Sequence, residues 1–251
     1  MSLQARNPPQ GEHEGESYFV SMTDMLVGML FLFIIMLMFF AMKFNEAALK
    51  KIDTVQTLIS AEETRGKILE DIRKAMMDQG VVVEIDLENG ILRLPEKILF
   101  DRNKSVLSAR GQEAVVSLSK ALFLVLPCYT ASAAEHRDSC GNVRHQVESV
   151  FVEGHTDSDG DDTLNWNLSF QRSLATYQFM VGANPELATL MNHSRQAIIS
   201  LAGYGKQRPV KANDNDDNKR QNRRIDVRFI MSTPKAIDLR GNGMIGPGEE
   251  K

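Results

Sequence analysis

Two places in the chain put ionisable side chains where chemistry needs them. The first is Asp24, the one charged residue in the apolar stretch 19–42, FVSMTDMLVGMLFLFIIMLMFFAM. An acid inside a membrane-spanning helix is costly and marks a partner, a water path or ion traffic. A carboxyl so placed can take up a proton on one side and release it on the other. The bland alternative is that Thr23 or Asp24 caps the helix at the interface, which leaves 25–42 to span. The second place is GHTDSDGDDTLNWNLSFQR, residues 154–172. Asp157 ends a strand in a loop rich in Asp and Gly. On the helix that follows, Asn165, Leu168 and Arg172 recur at helical spacing and share one face. A carboxylate at a strand end and a guanidinium on a neighbouring helix can grip a ligand that carries both an ammonium and a carboxylate, because Arg offers the bidentate fork a carboxylate needs. In this reading Asp157 keeps its charge in a wet loop, and Arg172 points at the ligand and not into the core.

Other clusters imply less. Asp157, Asp159, Asp161 and Asp162 could hold Ca²⁺, but the bidentate Glu expected later in such a loop is missing, so no metal is expected. His155 reads as a structural turn residue and 213–217 as a solvated loop. No Ser/His/Asp or Cys/His arrangement supports nucleophilic catalysis, and the chain is not expected to be an enzyme. Cys128 and Cys140 would pair in an oxidising compartment and stay free thiols in the cytosol.

The elements that must position these groups follow from patterning. At ~1.5 Å per residue, helix 19–42 reaches roughly 36 Å, enough to cross a ~30 Å hydrocarbon core. The leader is acidic and the apolar run long, unlike a cleaved signal peptide, so the segment reads as a retained anchor. Residues 1–18 read as a polar, disordered tail. Residues 43–80 read as a helical linker, in which Ala48, Ile52, Val55 and Ile59 form an a/d seam suited to a short parallel coiled coil between two copies. The cluster 62–66 interrupts the seam, and Ile68, Ile72 and Met76 resume it. From Val81 the period changes to two, with a hairpin about Glu88-Asn89-Gly90. Then come a helix over 108–126, N-capped by Ser108 and ended by Pro127, a strand over 149–153, helices over 163–181 and 186–200, and a strand over 224–230. Residues 234–251 read as a flexible tail. The fold class is a single transmembrane helix and a linker helix, then an α/β (α+β) domain with a mixed sheet over 81–233.

A net charge of −4 over 251 residues gives no electrostatic reason to expect nucleic acid. A mean hydropathy of −0.24 with one long apolar run points to a single span.

GHTD at 154–157, then Asn165, Leu168-Ser169, Arg172, Gly203-Tyr204-Gly205, Pro209 and Asn222-Arg223-Arg224-Ile225 follow the order and spacing of the OmpA-like peptidoglycan-binding domain, which 81–230 resembles throughout. The resemblance implies that Asp157 and Arg172 hold the zwitterionic end of diaminopimelate in the stem peptide. It puts Asn165, Leu168, Asn222 and Arg224 in supporting positions. The polar insertion 128–147 and the acidic run 158–162 depart from the family pattern.

The order of tail, span with an early Asp, linker helix and OmpA-like domain resembles the MotB-type subunits of proton-driven stators. Asp24 stands where that family has its proton-carrying Asp. The basic tail and the tryptophan before the Asp of flagellar subunits are missing here, and the run TDMLVGMLF looks closer to the ZorB-type subunits of Zorya anti-phage systems. The resemblance implies a bacterial inner-membrane protein with its N-terminus cytosolic and its C-terminal domain periplasmic. That overrules the positive-inside tendency of Lys43, Lys50 and Lys51. It also makes Cys128 and Cys140 candidates for a disulfide that closes the polar insertion. It further implies a homodimer inside a pentameric ring of multi-span MotA-like (ZorA-like) subunits, the proton as coupling ion with no other cofactor, and a peptidoglycan-anchored motor in anti-phage defence. A flagellar stator subunit and a passive envelope tether without ion transport are the alternatives.

Overall fold

The computed structural model describes residues 13–101, 104–131, 140 and 143–232. The chain divides into two compact units, Met1–Gln56 and Thr57–Lys251.

In the first unit every described residue belongs to one helix, α1 (His13–Met77). Residues 13–18 of the expected tail are therefore helical, while 1–12 lie outside the described residues. From Met22 to Met42 the large apolar side chains are exposed all round the helix. A helix that is apolar on every face needs an apolar surround. Its most apolar window has a mean hydropathy of 2.8, and it is long and apolar enough to cross a membrane. Ile52 and Val55 further along are also more than half exposed.

The second unit begins within α1, at Thr57, and not at the change of period near Val81. Ile68, Leu69, Ile72 and Met76 are fully buried in the domain core. The 62–66 cluster does not interrupt the helix. Arg65 pairs with Glu62 and donates to the Leu87 and Glu88 carbonyls at 3.4 and 2.9 Å. These contacts and the buried stripe beyond them outweigh the ~1 kcal/mol that a helical glycine such as Gly66 costs.

β1 (Glu84–Asp86) and β2 (Ile91–Pro95) form the expected hairpin, although the strand starts at Glu84 and not at Val81. Gly90, at φ +69°, supplies the left-handed turn residue. The short α2 (Glu96–Leu99) follows β2 directly. α3 (Ala109–Val125) is N-capped by Ser108, whose Oγ accepts from Gly111 N at 3.0 Å. A 3₁₀ turn, Leu126–Tyr129, carries Pro127. Then come β3 (Val147–His155), α4 (Asp162–Ala183), a 3₁₀ turn (Pro185–Thr189), β4 (Ile199–Gly203), α5 (Asp216–Asn222) and β5 (Arg224–Met231). The helix expected over 186–200 is absent. Pro185 opens only the 3₁₀ turn, residues 192–195 turn back, and the β-branched pair Ile198-Ile199 leads into β4. The tail 234–251 lies outside the described residues, as does most of the insertion between Thr130 and Val143.

The sheet order is β1-β2-β5-β3-β4, parallel between β3 and β4 and antiparallel elsewhere, so it is mixed as expected. One face carries Leu92, Leu94, Val150, Val152, Ile225, Val227 and Phe229 into a core shared with α1, α3 and α4. The other face is polar. Register pairs Arg93 with Asp226, Glu153 with Asp226, and His155 with Arg224. α4 lies close on β3 because Gly154 has no side chain: a Cβ there would stand 1.9 Å from the Ser169 carbonyl oxygen. α3 is apolar enough to span a membrane by composition, but much of it is buried in the core.

Candidate functional site

β2, β5 and β3 are neighbours in the middle of the sheet, and the end of β2, the start of β5 and the end of β3 meet at one end of these strands. Glu96 follows β2, Arg223 precedes β5 and Asp157 follows β3. A backbone hydrogen bond, Glu96 N to the Arg223 carbonyl at 3.0 Å, ties the first two together. Arg172 arrives from α4. The four side chains alternate in sign. Arg172 Nη2 donates to Glu96 Oε1, Arg223 Nε donates to Glu96 Oε2, and Arg223 Nη1 donates to Asp157 Oδ2 at 2.5 Å. Asp157 Oδ1 accepts from Asp159 N at 3.0 Å. Arg172 also donates to the Lys104 carbonyl at 2.9 Å and lies 5.2 Å from the centre of the Phe100 ring. Two guanidiniums and two carboxylates thus compensate one another in a largely dry setting. Burial lowers the pKa of Arg172 against the pull of Glu96. Burial opposes the charge of Arg223 too, but Asp157 and Glu96 outweigh it and raise its pKa.

This arrangement corrects the expected posture of the two grips. Asp157 is 6% exposed, not in a wet loop, and Arg172 is 2% exposed and turned inward. Both are already matched by carriers of opposite charge that sequence reasoning passed over, Glu96 and Arg223. The available signal was slight: Glu96 is the single acid in ILRLPEKILF, and Arg223 stands beside the more conspicuous Arg224.

The other expected site residues divide. Asn165 is buried beside the site and donates to the Asp159 carbonyl at 2.9 Å, which shapes the loop after Asp157. Leu168 is half-buried one turn before Arg172. Asn222 works as a backbone clamp: its side-chain oxygen accepts from Val210 N and Lys211 N, and its amide donates to the Lys211 carbonyl. Arg224 faces the polar layer of the sheet, pairs with Asp226 at 3.0 Å and reaches the Arg208 carbonyl. Asn222 and Arg224 therefore hold this end of the strands in shape and do not join the Arg172–Asp157 chain. Cys128 and Cys140 are joined in a disulfide. Asp24 sits on α1 in the apolar stretch of the first unit.

The acidic run does not converge on one point. Asp159 pairs with Lys219 at 2.6 Å, Asp161 caps α4, and Asp162 pairs with Lys206 at 2.8 Å. Asn215, expected in a solvated loop, caps α5. In the polar layer, Glu153, His155 and Asp226 bring ligand atoms within 4.8 Å of one another. Their carboxylates already accept from guanidiniums, Glu153 from Arg228 at 2.8 and 2.9 Å and Asp226 from Arg93 and Arg224. A metal cation would have to displace them. Burial by itself would raise the Glu153 carboxyl. The facing His155 and the Arg228 pair outweigh that and hold it at about 2.

Residues 130–223 match the OmpA family. Zorya protein ZorB of Escherichia coli O139:H28 is 25% identical over 220 residues, which cover 84% of this chain and 79% of that protein. Motility protein B of Bacillus subtilis is 19% identical over 173 residues, covering 67% and 56%. Of two further curated relatives the chain spans 16% and 58% of the length. A solved structure of a MotB-like protein from Desulfovibrio vulgaris aligns at 19% identity with a TM-score of 0.48, covering 70% of this chain and 98% of that one.

Proposed function

We propose, for what is a MotB-type chain with an OmpA-like domain related to ZorB, that it is the peptidoglycan-anchored subunit of a proton-driven motor in the bacterial inner membrane, acting in anti-phage defence. The observation that carries this reading is the joining, in one chain, of an apolar helix bearing a single acid to a domain that keeps the family's Asp157 and Arg172. The helix spans with its N-terminus in the cytosol, and the domain grips the diaminopimelate stem peptide in the periplasm. The Cys128–Cys140 disulfide supports that side, since such bonds persist in oxidising compartments. The exposed Ile52 and Val55 support pairing of two copies along α1, inside a pentameric ring of multi-span ZorA-like subunits. Asp24 relays protons between that ring and the pair, and the wall holds the pair still while the ring moves.

The test is Asp24→Asn in the full chain, co-expressed with its ring partner. Asn keeps shape and hydrogen bonding but cannot cycle a proton. The expected outcome is normal membrane insertion with loss of phage protection. Protection equal to wild type would remove the ion-carrier role and leave a passive tether. Rescue of motility in a stator-null strain, without phage protection, would assign the subunit to a flagellar motor.

A further inference from the structure

Holding a ligand carboxylate requires Arg172 to meet an anion, yet Arg172 is 2% exposed and already meets one. Glu96, itself 6% exposed, turns one carboxylate oxygen to Arg172 and the other to Arg223. That is how a carboxylate bridges two guanidiniums. We infer that Glu96 is the resident occupant of the carboxylate seat between Arg172 and Arg223, and that the carboxylate of an incoming amino-acid ligand enters by displacing it. This inference rests on the stem-peptide reading above.

Occupancy favours exchange over addition. The seat holds two guanidiniums matched by Glu96 and Asp157. Glu96 gives one carboxylate oxygen to each guanidinium, so a second carboxylate can bridge the two only where Glu96 now stands. One carboxylate leaves and one enters, and Asp157, which accepts from Arg223, stays to meet the ligand ammonium. Glu96 is placed for release. It opens the four-residue helix α2 directly after Pro95, beside the exposed Lys97, and its side chain is held in the seat by the two arginines. The free protein keeps its arginines compensated in this way, and the ligand must outcompete an intramolecular rival. Glu96 thereby sets the affinity of the site and selects ligands that bring a carboxylate of their own.

The test is calorimetric titration of the full chain in detergent micelles with the tripeptide L-Ala-γ-D-Glu-meso-diaminopimelate. Glu96→Gln removes the rival charge and is expected to bind at least tenfold more tightly than wild type, and the ligand should raise its unfolding temperature more than it does for wild type. A merely structural Glu96 would give the opposite sign, since its loss would loosen the site. Should Glu96→Gln fail to fold, Glu96→Asp keeps the charge and draws the carboxylate back by one methylene, and a smaller gain is expected. A tripeptide whose diaminopimelate carboxyls are amidated should show no gain with either variant. Wild-type binding with no gain in folded Glu96→Gln or Glu96→Asp, or an equal gain for the amidated probe, overturns displacement and leaves the stem-peptide reading standing. No binding by wild type or by either variant overturns both.

Discussion

His155 is 1% exposed in the polar layer, stacked on Tyr204 with ring centres 5.3 Å apart, and its Nε2 lies 3.5 Å from an Asp226 oxygen and 3.8 Å from a Glu153 oxygen. Burial lowers its pKa from 6.5, although Glu153 and Asp226 pull the other way. The unfolded chain therefore binds this proton first as pH falls. Stability from a neutral His155 is complete above the unfolded value of about 6.5 and declines as pH drops from there toward the folded value. Urea unfolding of the full chain in detergent should show lower stability at pH 5.5 than at pH 7.5, and His155→Gln should flatten that slope. Glu153 acts in a lower window. Its folded value of about 2 against 4.5 makes it stabilising above pH 4.5, by roughly 3 kcal/mol, and this is lost progressively between 4.5 and 2. At the candidate site, Arg223→Ala would leave Glu96 and Asp157 without their shared cation. A loss of roughly 3 kcal/mol in unfolding free energy is expected, as for breaking a largely buried ion pair from one side. An unchanged transition would mean that water compensates those carboxylates.

Among the elements, α1 combines two tasks with one repeating pattern. Its stripe at Ile68, Leu69, Ile72 and Met76 is covered by the domain core, while Ile52, Val55 and Ile59 remain half or more exposed. An exposed a/d stripe on a helix with little else to bury is suited to a second copy of itself. Val55→Cys in membranes should therefore cross-link to its counterpart under mild oxidant, and Gln56→Cys, one position off the stripe, should do so much less. Equal cross-linking at both positions would remove the paired-helix reading. The Cys128–Cys140 disulfide ties the end of the 3₁₀ turn after α3 across a separation of 12 residues. Closing a loop of that size stabilises by roughly 3 kcal/mol in the chain-entropy model. Thiol labelling of denatured, non-reduced protein should find both cysteines blocked.

At the scale of the molecule, the second compact unit cannot be cut where the period of the sequence changes. Removing 57–80 would strip four fully buried apolar side chains, Ile68, Leu69, Ile72 and Met76, from the core. At ~1.5–3 kcal/mol each this amounts to about 6–12 kcal/mol, comparable with the whole stability of a typical domain. A fragment over 57–232 should unfold cooperatively, and one over 81–232 should lack a cooperative transition. If the shorter fragment melts like the longer one, the α1 turns are only an appendage. The longer fragment is also the one to mix with purified sacculi. It should co-sediment with diaminopimelate-type peptidoglycan, and Arg172→Ala should largely abolish this while the fold persists.

The sequence alone determined the apolar span with its single acid, the hairpin at Glu88-Asn89-Gly90, the Ser108 cap, and the shared helix face of Asn165, Leu168 and Arg172, because each rests on local chemistry: hydropathy, turn residues, a side-chain cap, or spacing along one helix. The places of Asn222 and Arg224 came only with the resemblance to the OmpA-like domain. The RIDVRFI alternation of β5 likewise carried one polar and one apolar face within itself. Only the tertiary structure decided what those residues meet. The stripe at Ile68–Met76 has the same period as the exposed stripe before it, and only the position of the sheet and α3 buries one and not the other. Residues 186–200 are apolar enough for a helix, and the free edge of β3 turned part of them into a strand. The partners of Arg172 and Asp157 lie 76 and 66 residues away along the chain. Ion pairs depend on distance in space, and the sheet order that brings the end of β2 beside the start of β5 is not written in either segment.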